Sequence, residues 1–173
     1  NAAATRLDPM THHSRGSSRL LAAAVEQRVG TGLAEFEFEH GRQSQPSTPG
    51  FSVLGTRLPD ADAIDPRLNL NNQAWSLPVV LSGNTASLRW TQPLATDAQV
   101  VARLMQQDLH NEDRIAFPFG CSAADGTYYA DRFGPDGRYD LYDFRSVNEQ
   151  RRTDAVELAL HTAKRVASIE SYI

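Results

Sequence analysis

Residues 33–39 read LAEFEFE, a stretch in which apolar and acidic side chains alternate. Successive side chains of a β-strand point to opposite faces, so a period of two is typical of a strand with one dry face and one wet face. An α-helix would place both kinds of side chain on every face. The segment is therefore predicted to be a strand, and the fold must contain a sheet that this strand can join.

Three other segments carry apolar residues at the spacing of a helix. The first starts at Ser17 or Ser18, whose hydroxyl can cap a helix, and ends before two glycines. The predicted helices cover residues 17–29, 96–111 and 153–167. Their apolar stripes consist of Leu20, Leu21, Ala24 and Val25, of Val100, Val101, Leu104, Met105 and Leu109, and of Val156, Leu160, Ala163 and Ala167.

Short apolar runs between turn residues predict further strands. Residues 75–81 and 86–91 are two such runs, and the SGNT segment between them suits a tight hairpin. Residues 115–121 are typical of a buried strand, and residues 126–145 carry two aromatic arms around GPDG, which predicts a second hairpin. The interleaved elements predict an α+β fold, with a central, mostly antiparallel sheet flanked by helices.

The length of 173 residues suits one domain, which we expect at residues 17–173. Residues 1–16 have little apolar content and are predicted to be a flexible N-terminal segment. The sequence starts at Asn1 without a methionine, which suggests a cloning scar or a cut from a larger protein. Residues 41–72 are rich in Pro, Asn, Asp and Ser, and within them only residues 51–58 suggest a brief helix.

The charge and the cysteine content exclude several classes of protein. A formal net charge of −4 provides no general attraction to nucleic acid or to anionic membranes. The single cysteine, Cys121, excludes an internal disulfide. No apolar run reaches the roughly 18 to 20 residues of a membrane-spanning helix. We therefore expect no nucleic-acid partner, no insertion into a membrane, and a cytoplasmic location, alone or as part of a membrane-anchored protein.

Five short stretches, in the right order, are similar to the landmarks of one family. They are residues 7–15 (LDPMTHHSR, similar to DPLTGLxNR), 37–42 (EFEHGR, similar to DxDxFK), 82–86 (SGNTA, where GGDEF would stand), 119–122 (FGCS, where SIGV would stand) and 156–164 (VELALHTAK, similar to ADxALYxAK). Together they cover almost the whole chain. The chain thus resembles the GGDEF, or diguanylate cyclase-like, domains. The resemblance implies a nucleotide-cyclase type of sheet, with the hairpin at residues 126–145 as an insertion.

The resemblance also implies a half-site for a nucleotide and metal ions, formed by Glu37, Glu39, Gly83, Asn84 and Thr85. The signature acids are replaced by an amide and a hydroxyl, which cannot hold Mg²⁺ as carboxylates do. Residues 73–76 lack both charges of the family's RxxD inhibition site, and the RLPD at residues 57–60 lies too early. We therefore expect a vestigial site without catalysis, cofactor or metal. The alternative is that the glutamates are the wet face of a strand.

The function implied is that of a non-catalytic, degenerate GGDEF domain with a regulatory or scaffolding role in a bacterial, cyclic di-GMP-related signalling protein. Its partner would be a protein, another domain of the same polypeptide, or a second copy in a homodimer. The predicted partner surface consists of Tyr128, Tyr129, Asp140 and Tyr142, because exposed aromatic residues are favoured at interfaces. The alternative is that these aromatic residues form the core face of a strand.

Two further classes of function stay open. In the first, Cys121 would act with His161, His110 or His40 as a thiol nucleophile and base in an unrelated α+β hydrolase or toxin. A cysteine at the end of an apolar strand is also typical of a small buried hydrophobic residue. In the second, the chain would be an extracytoplasmic sensor domain between two membrane helices.

Overall fold

The computed structural model describes residues 1–50, 62, 64–130, 132–134, 136–166 and 169–172, and within them the chain forms nine strands. The predicted brief helix at residues 51–58 and the RLPD at residues 57–60 lie outside the described residues. The strands are β1 (Ala2–Leu7), β2 (Gly16–Val29), β3 (Gly32–Gln45), β4 (Val79–Ala95), β5 (Ala98–Pro118), β6 (Cys121–Ser122), β7 (Tyr128–Tyr129), β8 (Leu141–Val166) and β9 (Ile169–Tyr172).

Seven of these strands form one antiparallel sheet in the order β1-β2-β3-β4-β5-β8-β9, and β6 pairs with β7 beside it. Each strand of the large sheet lies next to its neighbour in sequence. The turns after β2 and β4 are two residues long and lie at one end of the sheet, whereas longer connections join β1 to β2, β3 to β4, and β5 to β8 at the other end. Among the described residues there is no helix of the length and apolar character needed to cross a bilayer.

The three predicted helices are wrong, because residues 17–29, 98–111 and 153–166 belong to strands β2, β5 and β8. A spacing of four residues returns a side chain to the same face of a helix, but it also satisfies the period of two of a strand. Val156 and Leu160 are an example, since both lie on one face of β8. The α+β fold class is therefore corrected: the described residues form an all-β fold, with no helices flanking the sheet.

Both predicted hairpins are also wrong. Gly83 and Asn84 lie in the middle of β4, where they pair with β3 on one side and β5 on the other. The aromatic arms of residues 126–145 do not pair with each other, because Tyr129 pairs with Cys121 in the small sheet and Leu141 begins β8. The segment expected to be flexible, residues 1–16, contributes strand β1.

A small, well-packed core lies at the loop end of the sheet. The Asn71 side chain is buried there; its Nδ2 donates to the Ser47 carbonyl at 3.0 Å, and its Oδ1 accepts the backbone N–H of Ala116 at 2.6 Å. Among the described residues, the buried apolar side chains at this end are those of Ala116 and Cys121, and Val101 is buried near the short turns. Most apolar side chains of the large sheet therefore lie outside this core.

The register of the sheet separates its residues onto two faces, since directly paired residues share a face. The apolar face contains the row Val25, Phe36, Leu88, Leu104 and Val156. The polar face contains the neighbouring row Glu26, Glu35, Arg89, Arg103 and Glu157. The apolar face is open to its surroundings, with Val156 79% exposed and Leu158 76% exposed.

Candidate functional site: the two faces of the sheet

The charged row of the polar face crosses five strands at one level. Glu26 and Glu35 are direct neighbours, as are Arg89 and Arg103, so that acids on β2 and β3 stand beside bases on β4 and β5. Arg89 Nη1 lies 3.5 Å from Glu35 Oε2. The residues of this row on β3, β4, β5 and β8 line a cavity of about 420 Å³, whose other walls include His161. The face is thus suited to contact with water and polar solutes.

Four of the five predicted half-site residues lie together on this polar face. Glu39 and Thr85 are direct partners between β3 and β4, and Gly83 follows two residues from Thr85. The hydroxyl of Ser87 donates to Glu37 Oε2 at 3.4 Å. The amide of Gln107 donates to Thr85 Oγ1 at 3.2 Å.

The fifth predicted residue, Asn84, lies on the opposite face. Its Oδ1 accepts a hydrogen bond from His40 Nδ1 at 2.8 Å. Within the described part of the chain, no three or more His, Cys, Asp or Glu side chains are grouped so as to hold a metal ion. The vestigial nucleotide and metal half-site stays a prediction. The arrangement of these residues on a continuous sheet offers no turn to surround a phosphate.

A second cavity on the polar face, of about 780 Å³, lies nearer the loop end. Its floor contains the direct partners Gly41 and Gly83, with Leu109 as the next residue across. A Cβ added at Gly83 would lie 2.6 Å from Leu109 Cδ2 and 3.1 Å from the Asp108 carbonyl oxygen. The leucine side chain therefore packs directly over this glycine.

The structure does not bring Cys121 together with the three histidines considered for a thiol site. Cys121 is 2% exposed and pairs with Tyr129 in the small sheet. His40 bonds to Asn84, and His110 Nε2 lies 3.6 Å from Glu112 Oε1. His161 lines the charged cavity on the polar face. The thiol is thus placed as a buried structural group.

The predicted partner surface falls on a folded loop and the start of β8. Asp140 Oδ2 accepts bonds from the Ser122 backbone N–H at 3.0 Å and from its hydroxyl at 2.7 Å. The ring of Tyr142 stacks on Phe117 with centroids 5.8 Å apart. Tyr128 is exposed, and Tyr129 pairs with Cys121. Asp140 and Tyr142 thus have structural partners, and the role of the group as a docking surface stays a prediction.

Two carboxyl groups in the loops have a lowered pKa. The pKa of Asp65 lies below its ordinary value of 3.8, chiefly because the backbone N–H of Arg67 donates to it at 2.9 Å; the charges of Arg67 and His12 act in the same direction. The pKa of Asp125 is lowered because the backbone N–H of Thr127 donates to it at 2.9 Å. Both carboxylates stabilise turns and lie outside the charged row.

The apolar face is the feature that the sequence analysis missed. Its rows next to the short turns are Gln92, Val100 and Leu160; Gln27, Ala34, Trp90, Ala102 and Leu158; Val25, Phe36, Leu88, Leu104 and Val156; and Ala23, Phe38, Ala86, Gln106 and Asp154. The indole of Trp90 covers Gly32. The signal was present in residues 155–160 (AVELAL), where apolar side chains alternate with others as they do in residues 33–39.

No family model matches the chain, and no curated protein and no solved structure matches it. The function is therefore argued from the geometry of the two faces.

Proposed function

We propose that this sheet is the wall of a membrane-embedded protein. In this proposal the apolar face contacts lipid acyl chains, and the polar face lines an aqueous space through which polar or charged solutes pass or in which they bind. The observation that carries the proposal is the exposure of the apolar face on a sheet whose opposite face is charged.

The first support is that the apolar face has no cover within the described part of the chain. In water, an antiparallel sheet buries its apolar face and exposes its polar face. Here Phe36, Leu88 and Leu104 are all exposed, as is most of the charged row on the opposite face. A band of exposed apolar side chains of this extent marks a surface that contacts something other than water.

The second support is the size and placement of the apolar rows. Successive rows are two residues apart along each strand, or about 6.8 Å, so four rows cover about 20 Å. This height is close to the apolar band of about 25 Å on membrane-spanning sheets, which also have short turns at one end and longer loops at the other. The strands β5 and β8, with 21 and 26 residues, far exceed the usual length of about 5 to 6 residues.

The third support is that the band ends in polar residues at the level where a bilayer would end. The row of Ala23 and Phe38 already carries Gln106 and Asp154 on β5 and β8, and beyond it the same face carries His40, Asn84, Asp108 and further charged side chains. A second sheet packed on the apolar face, as in a sandwich, would not account for strands of this length. Lipid is therefore the occupant that fits both the band and its border.

In a bilayer, the edge strands of this sheet would need partner strands. In hydrocarbon every backbone N–H and C=O needs an internal partner. Strand β1 pairs with β2 only from Gly16 to Leu21, so the outer edge of β2 within the apolar band has no partner strand among the described residues. Strand β9 pairs with β8 only from Ala163 to Val166, so the outer edge of β8 within the band also has no partner strand among the described residues. Further strands must therefore pair at both edges, from the same polypeptide or from a second copy.

The degenerate GGDEF role has no comparable support from the fold. That role depends on helices packed on the sheet, and the segments expected to form them are strands. The cyclic di-GMP connection therefore stays a prediction based on short stretches of sequence.

The two tryptophans of the chain allow a direct test. Trp90 lies on the apolar face, and Trp75 lies in the connection between β3 and β4. The Trp75→Phe variant, folded into phosphatidylcholine vesicles with brominated acyl chains, should lose more than half of its fluorescence, because bromine quenches an indole that it contacts.

The matched control is the Trp90→Phe variant, which reports from Trp75 and should be quenched far less. Equal quenching of the two variants would contradict the proposed orientation. A chain that stays out of the vesicles and sediments as a dimer in buffer would instead identify a second copy as the occupant of the apolar face.

A further inference from the structure

We propose that Arg19 and Arg42 bind the phosphate group of a lipid headgroup. The inference rests on the proposed function, and it names the class of lipid that the sheet would select. It concerns the apolar face just beyond its apolar rows, on strands β2 and β3.

The two arginines are direct partners in the register of β2 and β3. The next pair toward the apolar band is Leu21 and His40, and the pair after it is Ala23 and Phe38. With about 6.8 Å between pairs on one face, the guanidinium groups lie one to two pairs outside the apolar rows. This level is where the headgroups of a bilayer would lie.

Neither arginine has a hydrogen bond or an ion pair within the described part of the chain. Other arginines do: Arg15 lies 2.9 Å from Asp8, and Arg145 lies 2.9 Å from Asp143. Like charges directly opposite each other destabilise a sheet. A pair of cations without protein acids is therefore a site that an anion would stabilise.

The surroundings favour phosphate over a protein carboxylate. Arg6, on β1, pairs with Ser17 and so lies diagonally across from Arg19, which adds a third guanidinium to the same face. Within this row and the two adjoining rows, the acids on this face are Asp108 and Glu112, both on β5, which lies two strands away from β3, at about 9.6 Å. Planar guanidinium groups bind phosphate oxygens in pairs, which suits a headgroup phosphate between Arg19 and Arg42.

The test measures how strongly the chain selects spin-labelled phosphatidic acid over spin-labelled phosphatidylcholine in phosphatidylcholine vesicles. Each basic residue near a membrane surface increases the affinity for anionic lipid by about fivefold. The Arg19→Gln/Arg42→Gln variant should therefore lose most of the preference for phosphatidic acid. The matched control is Arg28→Gln/Arg103→Gln, which removes two arginines of the polar face and should keep the preference.

The outcomes separate the two proposals. Motionally restricted phosphatidylcholine without any preference for phosphatidic acid would overturn the headgroup site and leave the membrane sheet standing. The absence of any restricted lipid would contradict the membrane sheet itself. Inorganic phosphate at about 50 mM, on the order of the headgroup concentration, is then added as a competitor. If it abolishes the preference for phosphatidic acid, the site binds soluble anions, and the lipid assignment is overturned.

Discussion

Phe36 and Leu88 are direct partners on neighbouring strands, and both remain exposed, at 43% and 45%. A cross-strand apolar pair of this kind normally packs against a second layer of the protein. No second layer lies over this pair in the described part of the chain. The physical question posed by the fold is therefore what replaces that layer.

The faces of β8 should differ in their access to oxygen and to water. We expect single cysteines at residues 154–161, placed in a Cys121→Ser chain and spin-labelled in vesicles, to alternate strictly. Even positions such as Val156 and Leu158 should be accessible to oxygen, and odd positions such as Glu157 to a water-soluble nickel complex. Accessibility that repeats about every 3.6 residues would indicate a helix in this segment. Equal accessibility at all positions would contradict a lipid-facing side.

An arginine in the middle of the apolar band should lower the stability of the chain only when the sheet lies in a membrane. Val156→Arg should lower the free energy of unfolding in vesicles by about 2 to 4 kcal/mol, because a charge would enter hydrocarbon. The matched variant Ala155→Arg places the same charge on the polar face, where water can solvate it. Urea titrations that give equal losses for the two variants would refute the assignment of the faces.

Gly83 is predicted to be required by the side chain that covers it. Gly83→Val should destabilise the chain by about 1 to 3 kcal/mol, because an added Cβ meets Leu109 and the Asp108 carbonyl. Gly41→Val is the control, since no atom lies within 4 Å of a Cβ there. Leu109→Ala should recover part of the loss in the Gly83→Val chain. Failure of this rescue would mean that the backbone contact dominates.

The strand at residues 33–39 was correctly predicted, and it lies within β3. Strict alternation on both sides of a phenylalanine leaves no other period for the pattern to satisfy. The helices were wrong where apolar residues stand four apart or in continuous runs, as in β2, because such spacing fits either period. Sequence-based prediction also assumes that apolar side chains face the core. That assumption fails for a chain that places apolar residues on its outer face.

The functional residues could be predicted only in part. Glu37, Glu39, Gly83 and Thr85 do share a face, since β3 and β4 are neighbours. The position of Asn84 on the opposite face could not be foreseen, because a turn was expected at the point where β4 continues. The pairing of Arg19 with Arg42 depends on the register of two strands, one of which was predicted to be a helix.

The buried amide of Asn71 should determine the stability of the loop end. In Asn71→Ala, the N–H of Ala116 loses its acceptor although that residue is fully buried, which should cost about 1 to 3 kcal/mol. The bond from the Asn71 amide to the Ser47 carbonyl would also be lost. Asn72→Ala, at an exposed neighbour, is the control and should change stability by less than about 0.5 kcal/mol. Chemical denaturation of both variants measures the change in stability, and hydrogen exchange measures the protection of the Ala116 amide. An unchanged exchange rate at that amide in Asn71→Ala would show that the amide bond does not hold the loop against the sheet.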